Sequence, residues 1–431
     1  GEHRRVRQPQ VYEAHSDDLR PDLIDEAVLV ARSSDVAVVF AGLPPIYEAE
    51  AYDREHMRLP QQHNDLIRAV TDANPNTVVV LCNGAPVQMP WVDRPRAIVE
   101  AYLGGQGGGR GIVDVLYGRV NPGGKLAETF PLRQSDAASD RWFPGEGRQV
   151  QHREGLYVGY RWFDSAEVEV LFPFGHGLSY TTFEYGDLQV VGSDSAEGEG
   201  EEWPIVEVTV TNTGDVAGAE VVQLYVRDVE STVHRPDKEL KAFAKVQLEA
   251  GESERVRLPL DRRAFAFWDT ATGDWQVEGG DFELLVGTSS RDRRASATIE
   301  VSSDFQPPAP PAALDAYVEP TLNGFDDDAS FEALLGRPIP SPAPVRPFTR
   351  NSTFDEVSST RLGSGLKRLA LRAAQAQMGE EAAETGLDEM VERSMGEAPL
   401  RGMALLSQGR ISFEAVDRVL SALNRMPDRR R

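Results

Sequence analysis

At 431 residues the chain is too long for one ordinary core, so two or three domains are expected. Hydrophobic residues at 40% and charged residues at 26% fit a globular protein with ample apolar surface. The formal net charge of -24 repels polyanions, which excludes nucleic acid and anionic membrane surfaces as partners, and no run approaches the roughly eighteen apolar residues of a membrane span.

Residues 1–19 are polar and aperiodic. From Pro21 to Arg32, Leu23, Ile24, Ala27, Val28 and Val30 recur at helical spacing, and the apolar run Val36 to Ala41 then reads as a buried parallel strand. Pro60 to Asn74 predicts a helix with Leu66, Ile67 and Val70 inward, Thr77 to Asn83 a strand, Ala97 to Tyr102 another, and Gly111 to Tyr117 a short helix. Strands and helices alternating at this spacing indicate βαβ units and a parallel sheet, an α/β domain spanning 20–183. Cys82, the only cysteine, falls in the second strand as a small core residue and excludes an internal disulfide.

From about residue 184 the period becomes two. Glu207–Asn212, Val221–Val226, Arg255–Leu260, Asp281–Gly287 and Ala297–Ser302 predict an immunoglobulin-like β-sandwich over 184–303. The acidic run Glu197–Glu202 reads as a solvated hairpin tip, and Trp268 and Trp275 as core aromatics rather than sugar platforms. Residues 304–352 are proline-rich and read as an extended strap or linker. Helical periodicity returns over 353–431, through Leu362, Leu366, Leu369 and Ala370, then Leu387, Met390 and Val391, then Phe413 to Leu423, before a frayed Arg429–Arg431 end.

The loop after the first strand carries Glu48 and Glu50, followed by Asp53 and Arg54. Ligands of open α/β sheets sit at the carboxyl ends of strands. Glycosidic cleavage needs a protonated acid beside the leaving oxygen, which a loop carboxyl can supply. By residue type alone, a Glu-x-Glu in a loop is more often a solvated surface feature. Gly104–Gly111 and Asn121–Lys125 fail as phosphate-binding motifs, for neither has the Gly-Lys-Ser/Thr or the dinucleotide spacing. His56, His63, His152, His176 and His234 lack metal-site spacing, and no Gly-x-Ser-x-Gly elbow occurs. No cofactor and no metal are indicated, and His176 reads as a structural histidine.

Several ordered segments carry a more specific signal. They are Glu48-Ala-Glu50-Ala-Tyr-Asp53-Arg54 with Met57-Arg-Leu-Pro60, Asn83-Gly-Ala-Pro-Val87, Glu100-Ala-Tyr-Leu-Gly-Gly-Gln-Gly107 and Asn121-Pro-Gly-Gly-Lys-Leu-Ala-Glu-Thr-Phe-Pro131. Glu154-Gly-Leu-Tyr-Val-Gly-Tyr-Arg161 and Phe172-Pro-Phe-Gly-His-Gly-Leu-Ser-Tyr180 follow in turn. Together they resemble the C-terminal half of glycoside hydrolase family 3 enzymes, bacterial β-glucosidases in particular. The part from Val208 to Ser290 resembles the fibronectin type III-like domain that ends many of them, and the helical tail is similar to an extension in some bacterial members.

The resemblance implies a retaining glycosidase that removes terminal β-linked sugars. In it a (β/α)8 barrel supplies an Asp nucleophile and the α/β domain a Glu acid/base. The family loop commonly reads Glu-Ser-Glu-Gly-x-Asp-Arg, which assigns the acid/base role to Glu50, with Glu48 as fallback and Asp53 and Arg54 as loop anchors. Ala49 and Ala51 stand where serine and glycine are usual. The barrel and the first strands of the sandwich are absent from this sequence, so the implied partners are β-linked glucosides or oligosaccharides and a barrel supplied in cis or as a separate chain. Turnover by this chain alone is expected to be negligible. A homo-oligomer stays open, and with no signal-like stretch the cytoplasm is the expected location, although the chain opens on Gly rather than Met. The competing readings are a non-catalytic carbohydrate-binding or scaffolding module and half of a two-chain β-xylosidase or arabinosidase.

Overall fold

The computed structural model describes residues 19–44, 47–48, 53–145, 148–192, 203–378, 387–405, 407 and 409–428. Glu50 with its neighbours Ala49 and Ala51, the acidic run 197–202, residues 1–18 and Arg429–Arg431 lie outside the described residues. The chain divides into two units, one of residues 1–105, 144–150 and 341–431, the other of residues 106–143 and 151–340.

The first unit begins with α1 (Pro21–Arg32), β1 (Ala37–Gly42), α2 (Gln61–Ala73), β2 (Thr77–Cys82) and β3 (Ala97–Glu100). Pro21 opens α1, where its missing N–H would be unpaired anyway. The three strands are parallel in the order β1-β2-β3, with Ala37 opposite Thr77 and Val78 opposite Ala97. Helix α2 packs on β1 and β2 and against α1, burying Leu66, Ile67 and Val70 as their spacing predicts. Val79, Val80 and Leu81 of β2 are fully buried. β1 departs from the buried strand expected. Val39 and Ala41 are buried, whereas Val38 is 41% and Phe40 48% exposed, because an edge strand with one open face alternates.

The second unit holds α3 (Gly108–Leu116), β4 (Phe130–Pro131), α4 (Tyr160–Ser165) and β5 (Val170–Phe172), then β6 (Phe183–Val191), β7 (Ile205–Asn212), β8 (Gly218–Asp228), β9 (Glu239–Leu248) and β10 (Ser253–Pro259). After α5 (Arg262–Phe265) come the hairpin strands β11 (Phe267–Asp269) and β12 (Asp274–Gln276), then β13 (Gly280–Gly287) and β14 (Arg293–Val301). Two antiparallel sheets, β10-β7-β6 and β14-β13-β8-β9, form the sandwich. Its core takes alternate residues from each strand: Val206, Val208 and Val210 of β7, Val222, Leu224 and Val226 of β8, and Phe282, Leu284 and Val286 of β13. Asn212, fully buried, holds the corner between the sheets. It accepts from Thr181 Oγ1 and Gly214 N and donates to Val216 O and Leu248 O.

The proline-rich segment does more than connect. It forms α6 (Asp315–Val318) and α7 (Asp328–Leu335). Tyr317 and Phe325, stacked at 4.9 Å, join Tyr157, Trp162 and Phe163 in one buried aromatic cluster. Trp268 is also not the core residue expected, being 50% exposed, while Trp275 is half-buried against the sandwich core. The rest of the first unit is helical: α8 (Phe354–Val357), α9 (Arg361–Met378), α10 (Leu387–Glu397), α11 (Arg401–Leu405) and α12 (Phe413–Asn424). Phe354, Val357, Leu400, Val416, Leu420 and Leu423 share its core, and a capping box between Thr353 and Glu356 starts α8. Leu369, one of the residues that mark the period of α9, is 66% exposed. Among the described residues no helix is long and apolar enough to cross a membrane.

Candidate active site

Because β1, β2 and β3 run parallel, their carboxyl ends, Gly42, Cys82 and Glu100, lie along one edge of the sheet. The first two approach so closely that a Cβ on Gly42 would stand 2.0 Å from the Cys82 carbonyl oxygen, which leaves no room for any residue but glycine. His63, buried on α2, accepts from Gly42 N at 3.5 Å. That places this histidine behind the strand end as structure.

The loop that leaves β1 is fastened on both of its described legs to one segment, Asn83–Gln88. On the outgoing leg, Pro44 O accepts from Tyr47 N and Glu48 N, and Glu48 Oε2 accepts from Gly84 N at 2.7 Å. On the returning leg, Arg54 Nη1 donates to Pro86 O at 3.1 Å, and Met57 O accepts from Gln88 N at 2.8 Å. Tyr47 and His56 close the neck, their ring centres 5.8 Å apart. Further along, Trp91 Nε1 donates to Asn64 Oδ1 at 2.8 Å, tying the chain just beyond that segment to α2. Glu48 is half-buried and Asp53 exposed. Glu50 stands between the two legs in sequence, outside the described residues, so Glu48, Asp53 and Arg54 are the predicted site residues that the structure locates.

Sequence reasoning assigned no role to the residues that frame the loop. Asn83, fully buried, donates through Nδ2 to Ala85 O at 3.0 Å and to Glu100 Oε2 at 3.4 Å. The other oxygen of Glu100 accepts from Tyr102 N at 3.0 Å, and Tyr102 occupies the left-handed region at φ 47°. A carboxylate thus links the ends of β2 and β3 and holds a backbone turn that a non-glycine residue rarely adopts. Burial, with the Glu100 charge second, pushes the Cys82 thiol up, so it stays protonated and is no nucleophile. Among the described residues no cluster of three or more His, Cys, Asp or Glu side chains could hold a metal ion. The signal for the frame was present in the segments Asn83–Val87 and Glu100–Gly107, but which groups bond is a long-range fact.

Two other segments of the resemblance, both in the second unit, serve each other. Leu126 N donates to His176 O and Gly175 N to Leu126 O, each at 2.8 Å. Asn121 Oδ1 accepts from Tyr180 N at 2.8 Å, while its Nδ2 donates to Ala217 O at 3.0 Å. Lys125 Nζ pairs with Glu220 at 2.9 Å and also donates to Gly177 O. His176 stacks on Phe172 at 5.2 Å, and burial lowers its pKa, with Lys125 adding to the shift, so it is neutral at pH 7. The Asn-Pro-Gly-Gly-Lys segment is therefore a joint to β8.

The chain is similar to known proteins over most of its length. A family model described as the glycosyl hydrolase family 3 C-terminal domain matches residues 4–180, and a fibronectin type III-like domain model matches residues 220–290. The chain is 43% identical over 388 residues to thermostable beta-glucosidase B of Acetivibrio thermocellus, covering 89% of this chain and 49% of that protein. It is 39% identical over 359 residues to the exo-alpha-(1->6)-L-arabinopyranosidase of Bifidobacterium breve, covering 81% of this chain and 46% of that protein. The chain thus spans about half the length of these curated relatives. Among solved structures, the GH3 beta-glucosidase of Bifidobacterium adolescentis aligns over 73% of this chain and 47% of its own, with a TM-score of 0.64 and 40% identity. The beta-glucosidase DesR of Streptomyces venezuelae, solved in complex with D-glucose, aligns over 65% of this chain and 36% of its own, with a TM-score of 0.61 and 42% identity.

Proposed function

We propose that this chain, which belongs to glycosyl hydrolase family 3 and matches the C-terminal part of its members, supplies the general acid/base of a retaining, exo-acting β-glucosidase. The observation that carries the reading is the loop from Leu43 to Pro60, whose two legs are fastened to Asn83–Gln88 at the carboxyl edge of the sheet. Glu50 lies between them in sequence. Glu48 is already engaged with Gly84 N, and Arg54 with Pro86 O, which suits them to holding the loop rather than moving a proton. Glu50 would protonate the departing glycosidic oxygen while a carboxylate on a barrel domain attacks the sugar carbon. It would then deprotonate the water that releases the sugar. The two carboxyl groups must come within about 5 Å of each other. That requirement makes the barrel, in cis or as a second chain, a partner of the reaction.

The substrate class is a β-linked glucoside or oligosaccharide, on the strength of the β-glucosidase relatives. An arabinopyranoside specificity is the second reading, favoured by the Bifidobacterium breve relative. The test is co-expression with a barrel-encoding segment, followed by assay on aryl β-glucosides, xylosides and arabinosides. Glu50→Gln should abolish turnover, and azide should restore it. Strong hydrolysis by this chain alone, or azide rescue of Glu48→Gln instead, would refute the assignment.

A further inference from the structure

The second unit displays an aromatic surface that the hydrolytic reading does not use. β11 and β12 form a short hairpin in which Trp268 lies opposite Trp275. The indoles meet edge to face at 5.6 Å, and the Arg263 guanidinium covers the Trp275 ring at 3.5 Å. Arg262 Nη1 holds the Trp275 carbonyl at 2.8 Å. The turn is locked by its own bonds: the Asp269 carboxylate accepts from Ala271 N and Thr272 N, and Asp269 O accepts from Gly273 N at 2.9 Å. Trp268 is nevertheless 50% exposed, although indoles are highly buried on average. Arg263 is exposed, and beyond its stacking its guanidinium has no acceptor among the described residues.

We infer that Trp268 and Arg263 form a binding platform for a pyranose ring of a β-linked glucan. A β-glucose unit carries its substituents equatorially, so each face of the ring is a plate of C–H groups. These are attracted to the negative face of an indole. The hydroxyl rim of the same ring needs donors, and Arg263 offers several in a fixed plane. Because Trp275 and the locked turn hold Trp268 in place, little side-chain freedom is lost on binding. An aliphatic ligand would use the indole but leave the guanidinium donors unmatched, whereas a polyhydroxylated ring offers a C–H face and hydroxyl acceptors together. The choice of β-glucan rests on the proposed β-glucoside substrate; the platform itself rests on the hairpin.

The test is calorimetric titration of the full chain with cellohexaose and with laminarihexaose. Saturable binding to at least one is expected, weakened about tenfold in Trp268→Ala and about two- to fourfold in Arg263→Met. Unfolding midpoints measured alongside identify any variant that loses its fold, and Trp268→Phe, which keeps a smaller aromatic face, then replaces Trp268→Ala. Absence of saturable binding up to about 10 mM, or unchanged affinity in folded Trp268 and Arg263 variants, overturns the inference. An aryl glucoside assay of the co-expressed enzyme separates the two ideas, since a small substrate needs no platform. Hydrolysis without glucan binding removes only the platform, and glucan binding without hydrolysis removes only the catalytic assignment.

Discussion

Glu48 Oε2 accepts the Gly84 N–H at 2.7 Å, and a Cβ on residue 84 would stand 2.8 Å from Glu48 Oε1. The carboxylate and the glycine work as one latch, two residues before Glu50. A hydrogen bond to a charged group is worth about 1.5–3 kcal/mol. In the co-expressed enzyme, Glu48→Ala should therefore lower kcat about ten- to a hundredfold by loosening the loop, and Gly84→Ala, whose Cβ meets only the end of the Glu48 side chain, should lower it less. Glu48→Gln keeps an accepting oxygen and should stay within a few-fold of the parent. None of the three should move the limb of the pH–rate profile that reports the acid/base, and azide should rescue none. A Glu48→Gln enzyme as inactive as Glu50→Gln would show instead that Glu48 transfers the proton.

Arg153 is the second residue whose role is clear only in three dimensions. Its side chain is 2% exposed, lies over the Trp142 ring at 3.7 Å and the Phe331 ring at 5.0 Å, and pairs with Asp328 at 2.5 Å. It also donates to Gln151 Oε1 at 2.7 Å and to Asp326 O at 3.2 Å. The planar guanidinium satisfies all of these at once, and a lysine cannot. Arg153→Lys should cost about 2–4 kcal/mol, read as a lower urea midpoint at unchanged slope. A midpoint within error of the parent would mean that the aromatic cluster closes without this cation.

These cases mark what was legible in the sequence. The strand β7 was, because Val206, Val208 and Val210 alternate with polar residues and all are fully buried. The parallel pairing of β1 to β3 followed from strand and helix spacing, but their order in the sheet did not. The cluster of Tyr157 with Tyr317 and Phe325 was not, since its partners lie far apart in sequence and the later pair sits among prolines that signal extended chain. The helices α8 and α11 were missed because four or five residues cannot show a period. Leu369 shares the helical period yet is exposed, because spacing alone cannot tell which side of a long helix is covered. At the site, the sequence placed Glu48 and Arg54 in the right loop but could not show that both reach Asn83–Gln88, a contact made across the sheet edge.

Two histidines should give the fold a pH dependence of definite sign. Burial lowers the pKa of His234, and burial with Lys125, opposed by Asp292, lowers that of His176. A folded pKa below the unfolded value of about 6.5 means that the unfolded chain binds more protons as pH drops through that value. Stability is then complete above about pH 7 and declines on acidification towards pH 5. Asp228, whose carboxyl is pushed up by burial, contributes with the opposite sign: its part of the stability is lost as pH rises through its folded pKa. The melting temperature should therefore fall between about pH 7 and 5.5. Replacing both histidines by glutamine should flatten that slope, and an unchanged slope would put the titrating groups elsewhere.

The ion pair of Lys125 with Glu220 gives the sharpest stability test, because both side chains are nearly enclosed, 11% and 5% exposed, at 2.9 Å. Glu220 also accepts from Val221 N at 3.0 Å, so it is anchored and cannot swing to water without breaking a backbone bond. Removing only the cation leaves a buried, unpaired carboxylate, and Lys125→Met should destabilise the second unit by about 3–5 kcal/mol at pH 7. Glu220→Gln added to Lys125→Met removes the charge and should recover much of the loss at neutral pH. Urea midpoints of the parent, both single variants and the double variant, taken at pH 7, measure the coupling directly. A single variant no less stable than the double at pH 7 would show that Glu220 reaches solvent or another cation, and that the joint between Asn121–Lys125 and β8 is held by its backbone bonds alone.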